Sequence, residues 1–172
     1  MSILLDAEGI EKALQKLSAQ IAEQAPENTP VGIIGIRRRG DALAERLIER
    51  LSHDSLGDIA HGALDITLYR DDLAELGPAA IVRQTQIPFD INGRYIVLVD
   101  DVIHTGRSIR AALDALADLG RPQAIRLAVL VERPGRELPI QADFVGVRFD
   151  RPNRQVDVFL NEFDGQERVE IR

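Results

Sequence analysis

The chain contains no cysteine, which excludes disulfides and thiol chemistry and leaves the compartment open by that test. Lysine is almost missing too: of 21 basic residues only Lys12 and Lys16 are lysines, so nearly all positive charge is guanidinium. Guanidinium suits bidentate phosphate contacts, although solvated surface arginines are the commoner use. No apolar run approaches the length of a membrane span, and the opening MSILLDAEGIEKAL lacks a signal-peptide layout. The expectation is a cytoplasmic protein with no membrane partner. Internal repeats, linkers and low-complexity segments are absent. A formal charge of -7 argues against general nucleic-acid binding, which depends on neutralising phosphates, but it is compatible with a local phosphate site.

What is present is a folded chain: 172 residues, 45% of them hydrophobic, fit one domain spanning 1–172 with a real core. Ile10, Ala13, Leu14, Leu17 and Ile21 recur at helical spacing and predict a helix over 7–24, ended by Pro26 and Pro30. Residues 31–36 read as a buried strand, and DALAERLIERL as a helix with Leu43, Leu47 and Leu51 on one face. Leu64, Ile66 and Leu68 alternate with Asp65, Thr67 and Tyr69, which predicts a half-exposed strand. Residues 70–92 form a loop excursion, with a short hairpin expected around 79–87. A strand at 95–100, a helix over 106–119 and strands at 124–131, 144–147 and 156–160 complete the pattern.

Strands alternating with helices predict an α/β fold with a parallel sheet covered on both faces. Ligands of such sheets bind at the carboxyl ends of the strands. Three polar clusters follow predicted strands and share that rim: 37–40, 100–108 and 132–136.

The middle cluster reads VLVDDVIHTGRS. Thr105-Gly106-Arg107-Ser108 lies where a helix begins, so its backbone N–H groups lack intrahelical partners and suit a phosphate. Helix capping would explain Thr105 and Ser108 alone. It does not explain Asp100 and Asp101, two carboxylates that would repel a phosphate unless they hold sugar hydroxyls or a magnesium ion. A phosphorylated sugar satisfies both halves, and the pair is expected at the rim, outside the core.

GIRRRG at 35–40 has the G-x-x-x-x-G of a P-loop, but Asp41 stands where lysine is required. Three arginines after a buried strand suit pyrophosphate; a solvated basic turn would explain them equally without their position on the rim. Tyr69-Arg70-Asp71-Asp72 opens the long loop, read either as a lid or as a charged turn. His53, His61 and His104 are too scattered for a metal pair, His104 reads as a partly exposed loop residue, and no Ser-His-Asp signature is present.

VLVDDVIHTGRS resembles the phosphoribosyl-diphosphate motif of the type I phosphoribosyltransferases. GIRRRGDALAERL, LDITLYRDDLA, VLVDDVIHTGRSIRAALDAL, GRP, LAVLVER and RELPIQADFVG, in this order over nearly the whole chain, resemble the bifunctional pyrimidine operon regulator/uracil phosphoribosyltransferase family. The resemblance implies the type I phosphoribosyltransferase fold, a parallel sheet flanked by helices with a small hood built from the chain ends and the segment after Val131. It implies a glycosyltransferase that turns uracil and 5-phosphoribosyl diphosphate into UMP and pyrophosphate with Mg2+, with UTP as a further ligand and dimers or higher homo-oligomers as the assembly.

Carried over by residue, Asp100 and Asp101 would hold the ribose hydroxyls, directly or through magnesium and water. Thr105, Gly106, Arg107 and Ser108 would cradle the 5-phosphate, and Arg38, Arg39 and Gly40 would face the pyrophosphate. Arg70, counted with the catalytic groups, Asp72 and Arg83 would belong to a closing loop over 70–92. Arg133 and Val156 would line the base side. The alternative that the resemblance carries is a nucleotide-sensing regulator that binds pyrimidine leader RNA with little catalysis, through Arg37, Arg38 and Arg136. Here the chain departs from the family, which typically shows Lys-Thr-Arg-Gly at 37–40 and Gly-His-Arg-Glu at 134–137. A hydroxyl and an imidazole linked with RNA contact are missing, which weakens regulation more than catalysis.

Overall fold

The computed structural model describes residues 1–51, 56 and 58–172; His53 lies outside the described residues. The chain runs β1 (Ser2–Leu5), α1 (Ala7–Gln24), β2 (Val31–Ile36), α2 (Gly40–Leu51) and β3 (Ile59–Leu64). A short helix α3 (Leu73–Leu76) follows, then β4 (Tyr95–Ile103), α4 (Arg107–Leu119), β5 (Ala124–Glu132) and β6 (Phe144–Arg148). After these come β7 (Val156–Phe159), the short helix α5 (Asn161–Asp164) and β8 (Arg168–Ile171). The main sheet is parallel throughout, in the order β3-β2-β4-β5-β6, and a small antiparallel sheet has the order β1-β8-β7.

The unbroken apolar runs of β2 and β4 follow from burial on both faces. Alternate side chains go to opposite sides. Val31, Ile33, Val97 and Val99 pack with Leu14, Leu17, Leu43 and Leu47 of α1 and α2. Ile34, Ile36, Ile96 and Leu98 pack with Ile109, Ala112 and Leu116 of α4. Each fully buried Leu or Ile of this kind contributes about 1.5–3 kcal/mol, so packing fixes the helices on the sheet. Asp6 starts α1, its Oδ1 accepting the Gly9 N–H at 2.8 Å.

The strand expected from Leu64, Ile66 and Leu68 lies earlier in the chain. β3 ends at Leu64, and Thr67–Tyr69 is a 3-10 turn. Leu64 and Ile66 are buried, but Leu68 is 64% exposed. The alternation marks a turn laid against the core. No hairpin forms around 79–87 either. Gln86 alone bridges antiparallel to Ala63, while Asp65 accepts the Arg83 N–H and donates its own N–H to Thr85 Oγ1 at 3.0 Å. The return arm of the loop is therefore pinned to the end of β3. Within the segment after Val131, β6 joins the main sheet, while the small sheet takes its strands from residues 2–5 and 156–171.

Chain order places the site. From β2 the chain moves to β3 on one side of the sheet and later to β4 on the other. The carboxyl ends of β2 and β4 flank the crevice that this reversal opens, where such sheets bind ligands.

Candidate active site

At the end of β2 the chain turns tightly through residues 37–40. Glycine is required at both ends of the turn. A Cβ on Gly35 would lie 2.3 Å from the Gly40 carbonyl oxygen and 2.4 Å from Asp41 Cα, and one on Gly40 would lie 2.5 Å from the Val99 carbonyl oxygen. The G-x-x-x-x-G spacing thus seats the arginine loop on β2 and β4. The Arg37–Arg38 peptide is cis, and Arg39 has a φ of +55°. Such a left-handed conformation costs a residue with a side chain about 1–2 kcal/mol, a strain typical of binding loops.

The three arginines part company. Arg37 donates to Asp41 at 3.3 Å and to Gln86 at 3.1 Å, so its charge is engaged beside the loop. Arg38 lies over the Phe163 ring, 4.7 Å from its centroid, and Arg39 pairs with Asp164 at 3.0 Å. Both partners stand on α5. Sequence reasoning missed them because nothing in the spacing of NEFD signals contact with residues so distant in the chain.

β4 runs on to Ile103, so Asp100 and Asp101 lie within the strand and not after its end. Asp100 is only 7% exposed, which corrects the expectation that both charges sit outside the core; Asp101 is half-buried. Asp100 Oδ1 accepts the Asp101 N–H at 2.9 Å, and Asp101 Oδ1 accepts the Val102 N–H at 2.7 Å. Burial pushes the Asp100 carboxyl well above the usual carboxylate range, and the neighbouring Asp101 charge adds to this. Burial also raises Asp101, opposed by the Val102 N–H and the charge of Arg39.

The helix-terminal cradle at 105–108 follows directly. Gly106 has a φ of +92°, and α4 starts at Arg107 with the free N–H groups of a 13-residue helix. Thr105 Oγ1 accepts the Arg107 N–H at 3.2 Å, while its carbonyl accepts the N–H of Glu137 at 3.0 Å. The Arg107 guanidinium is held by Asp71 at 2.7 Å and Glu137 at 2.8 Å. It ties the long loop and the segment after β5 to the cradle, leaving backbone N–H groups and the Thr105 and Ser108 hydroxyls to meet an anion.

A cleft of about 450 Å³ brings Arg38, Arg39, Arg70, Arg83, Asp100, Asp101 and Ser108 together. Arg70 is paired with Asp72 at 2.8 and 2.7 Å, and Tyr69 donates its hydroxyl to Asp118 on α4 at 2.6 Å. A cavity of about 220 Å³ bounded by Arg70, Asp72, Thr105 and Ser108 adjoins the cradle. Another of about 220 Å³ lies at the ends of β5 and β6 and contains Arg133 and Arg136. Val156 is not brought to the site. It is buried in the core beneath the small sheet, where its strand pairs with β8. A cavity of about 750 Å³ opens beside Pro26 and Pro30, and none of its described lining residues is cationic.

The carboxylate pair fits a divalent cation in part. Among the described residues no group of three acidic or histidine side chains could hold a metal. One buried and one half-buried carboxylate, costly to ionise on their own, suit magnesium that takes its other ligands from substrate and water. No described helix is long and apolar enough to cross a membrane.

The phosphoribosyl transferase domain family matches residues 1–167 of this chain. The bifunctional protein PyrR of Pelotomaculum thermopropionicum is 50% identical over 169 residues, 98% of this chain and 93% of that one. The bifunctional protein PyrR of Roseiflexus sp. is 52% identical over 164 residues, covering 94% of this chain and 89% of its own. A hypoxanthine phosphoribosyltransferase from Trypanosoma cruzi shares the fold with a TM-score of 0.74 at 21% identity, covering 99% of this chain and 94% of that one. The chain belongs to the phosphoribosyl transferase family and, within it, to the group of the bifunctional protein PyrR.

Proposed function

We propose that this phosphoribosyltransferase joins uracil to 5-phosphoribosyl diphosphate, giving UMP and pyrophosphate. One observation carries the reading: an acidic pair, Asp100 buried and Asp101 half-buried, stands between an arginine turn and a helix-terminal cradle in a single cleft. Asp100 and Asp101 hold the ribose hydroxyls, Thr105 to Ser108 the 5-phosphate, and Arg38 and Arg39 the pyrophosphate after leaving Phe163 and Asp164. Arg70 and Arg83 close over the substrate on the loop 70–92, with the small sheet as a hood on a single domain. Arg133 faces the base. Magnesium, held by Asp100 and Asp101 together with substrate and water, supplies charge neutralisation of the leaving group. The protein works in the cytoplasm as a homo-oligomer that also binds UMP and UTP.

Loss of pyrophosphate leaves oxocarbenium character on the sugar, as in glycoside transfer. Positioning and electrostatics therefore supply most of the rate. Loop closure keeps water from attacking the same carbon. With uracil, hypoxanthine and guanine as competing acceptors, uracil is expected to be preferred by at least about 100-fold in kcat/KM, the discrimination available to a pocket that hydrogen-bonds its substrate. Purine turnover equal to uracil turnover would refute the assignment of the base.

The group's name, bifunctional, favours a second reading in which the chain also binds pyrimidine leader RNA. Arg136 is exposed, with a 3.4 Å contact to Gln141 as its one side-chain hydrogen bond among the described residues, whereas Arg37 is already engaged by Asp41 and Gln86. Binding is expected to be weak and to fall steeply with salt, by about 0.7 in log affinity per log unit of salt for each phosphate neutralised on a single strand. Titrating labelled leader RNA beside a scrambled control at several salt concentrations checks this. Tight, leader-specific binding at physiological salt would establish regulation as a second function.

A further inference from the structure

Arg38 and Arg39 line the cleft of about 450 Å³, yet α5 already holds both of them. Asp164 accepts two hydrogen bonds from one guanidinium nitrogen of Arg39, at 3.0 and 3.3 Å. The two side chains are 27% and 18% exposed, so the pair is largely shielded from water. Arg38 rests on the Phe163 ring. The Nε of Arg39 is buried without a hydrogen-bond partner among the described residues, so Asp164 satisfies that guanidinium only in part.

α5 is itself firmly placed. Asp164 Oδ2 accepts the Leu160 N–H at 2.9 Å. Arg46 on α2 binds Glu162 at 2.9 and 2.7 Å and Glu167 at 2.5 and 3.1 Å, one on each side of Asp164 in the chain. The arginine turn leads directly into the same helix, which starts at Gly40. The turn and the carboxylate thus share one support, and Asp164 has no freedom to swing aside; to meet a ligand, Arg39 must leave it. Burial pushes the Asp164 carboxyl up, but the Leu160 N–H and Arg39 outweigh it and hold the group below the usual carboxylate range. It is charged at neutral pH.

We infer that Asp164, acting through Arg39, and Phe163, acting through Arg38, are positioning residues that hold down the affinity of the site for pyrophosphate. This rests on the reading of the arginine turn as the pyrophosphate side of a phosphoribosyltransferase. An arriving diphosphate gains Arg39 only by uncovering the Asp164 carboxylate, and an unpaired charge in a partly buried place is unfavourable. The same carboxylate takes Arg39 back as pyrophosphate departs. Substrate and product are both bound less tightly, which speeds turnover wherever product release limits it.

The test uses the full chain with Asp164→Asn and Phe163→Leu. Asparagine keeps an oxygen for the Leu160 N–H and removes the charge. Calorimetric titration with pyrophosphate and magnesium reads the effect without any base present. Asp164→Asn should bind pyrophosphate about tenfold more tightly, somewhat above what fully exposed ion pairs are worth. Phe163→Leu should bind it about threefold more tightly, the scale of an exposed cation–π contact. KM for 5-phosphoribosyl diphosphate should fall in the same proportion while kcat does not rise, a split that a merely structural role would not produce. In an Arg39→Gln background, Asp164→Asn should change nothing, because its route to the ligand is gone. Binding by Asp164→Asn that is no tighter than that of the unaltered protein would overturn the inference, as would an equal gain without Arg39. Should melting curves show Asp164→Asn unfolded, Phe163→Leu decides by the same criterion. An unaltered protein that binds neither pyrophosphate nor 5-phosphoribosyl diphosphate with magnesium would overturn the underlying reading, and this one with it.

Discussion

Asn at both 100 and 101 is expected to leave a folded protein whose turnover is lower by about 1,000-fold, close to 4 kcal/mol of barrier. The ligand-free variant should also melt at a higher temperature than the unaltered protein at neutral pH. The sign follows from burial. The Asp100 carboxyl sits well above the usual range in the folded state, so between the ordinary value and the raised one the folded chain holds a proton that the unfolded chain has released. Stability therefore falls as pH rises through that window, and the full penalty is present above it. Removing both charges abolishes the penalty, and the difference between the proteins should vanish in acid below the ordinary carboxylate value. Melting curves and initial rates across pH, on the same preparations, check both halves. Turnover within about twofold, only about 0.4 kcal/mol in barrier, would remove the pair from the chemistry.

The second large effect is expected at Gly35, which touches no substrate. Gly35→Ala would place a methyl group 2.3 Å from the Gly40 carbonyl oxygen, against backbone that cannot rotate away. Forcing atoms into so tight a contact costs about 1–3 kcal/mol or more. The turn at 37–40 must lift from β4, carrying Arg38 and Arg39 with it. We expect a lower urea midpoint with an unchanged slope, and a loss of kcat of about 100-fold or greater, the scale of a misplaced charge clamp. A variant with the original midpoint and rate would show that the turn is free to shift and that its seat on β2 and β4 does not set the chemistry.

Sequence alone located the parallel sheet because β2, β4 and β5 are strongly apolar runs between amphipathic helices, a signal that burial on both faces imposes. It located the acidic pair and the cradle because their chemistry is local, within nine residues of one turn. β3 was misplaced for a physical reason. His61-Gly62-Ala63 carries little strand signal, and Gly62 is small because Ile87 crosses above it, 3.0 Å from where its Cβ would be. β1 and β8 are four residues each, and β1 finds its partner in β8 at the far end of the described chain, so no local pattern announces them. The partners of Arg38 and Arg39 were invisible for the same reason. Such contacts are made by the fold, between segments whose own sequences are indifferent to them.

The small sheet has a consequence for how the protein is made. Residues 2–5 leave the ribosome long before residues 168–171, with which they pair. The arginine turn is likewise finished early, but Phe163 and Asp164, which hold it, come much later. At translation speeds of about 5–20 residues per second, roughly 6–25 s separate the turn from its partners. During that interval the nascent chain carries the arginine turn without the side chains that hold it. The conformation of the turn is therefore settled only after α5 has been made, by folding between distant segments and not by its own sequence.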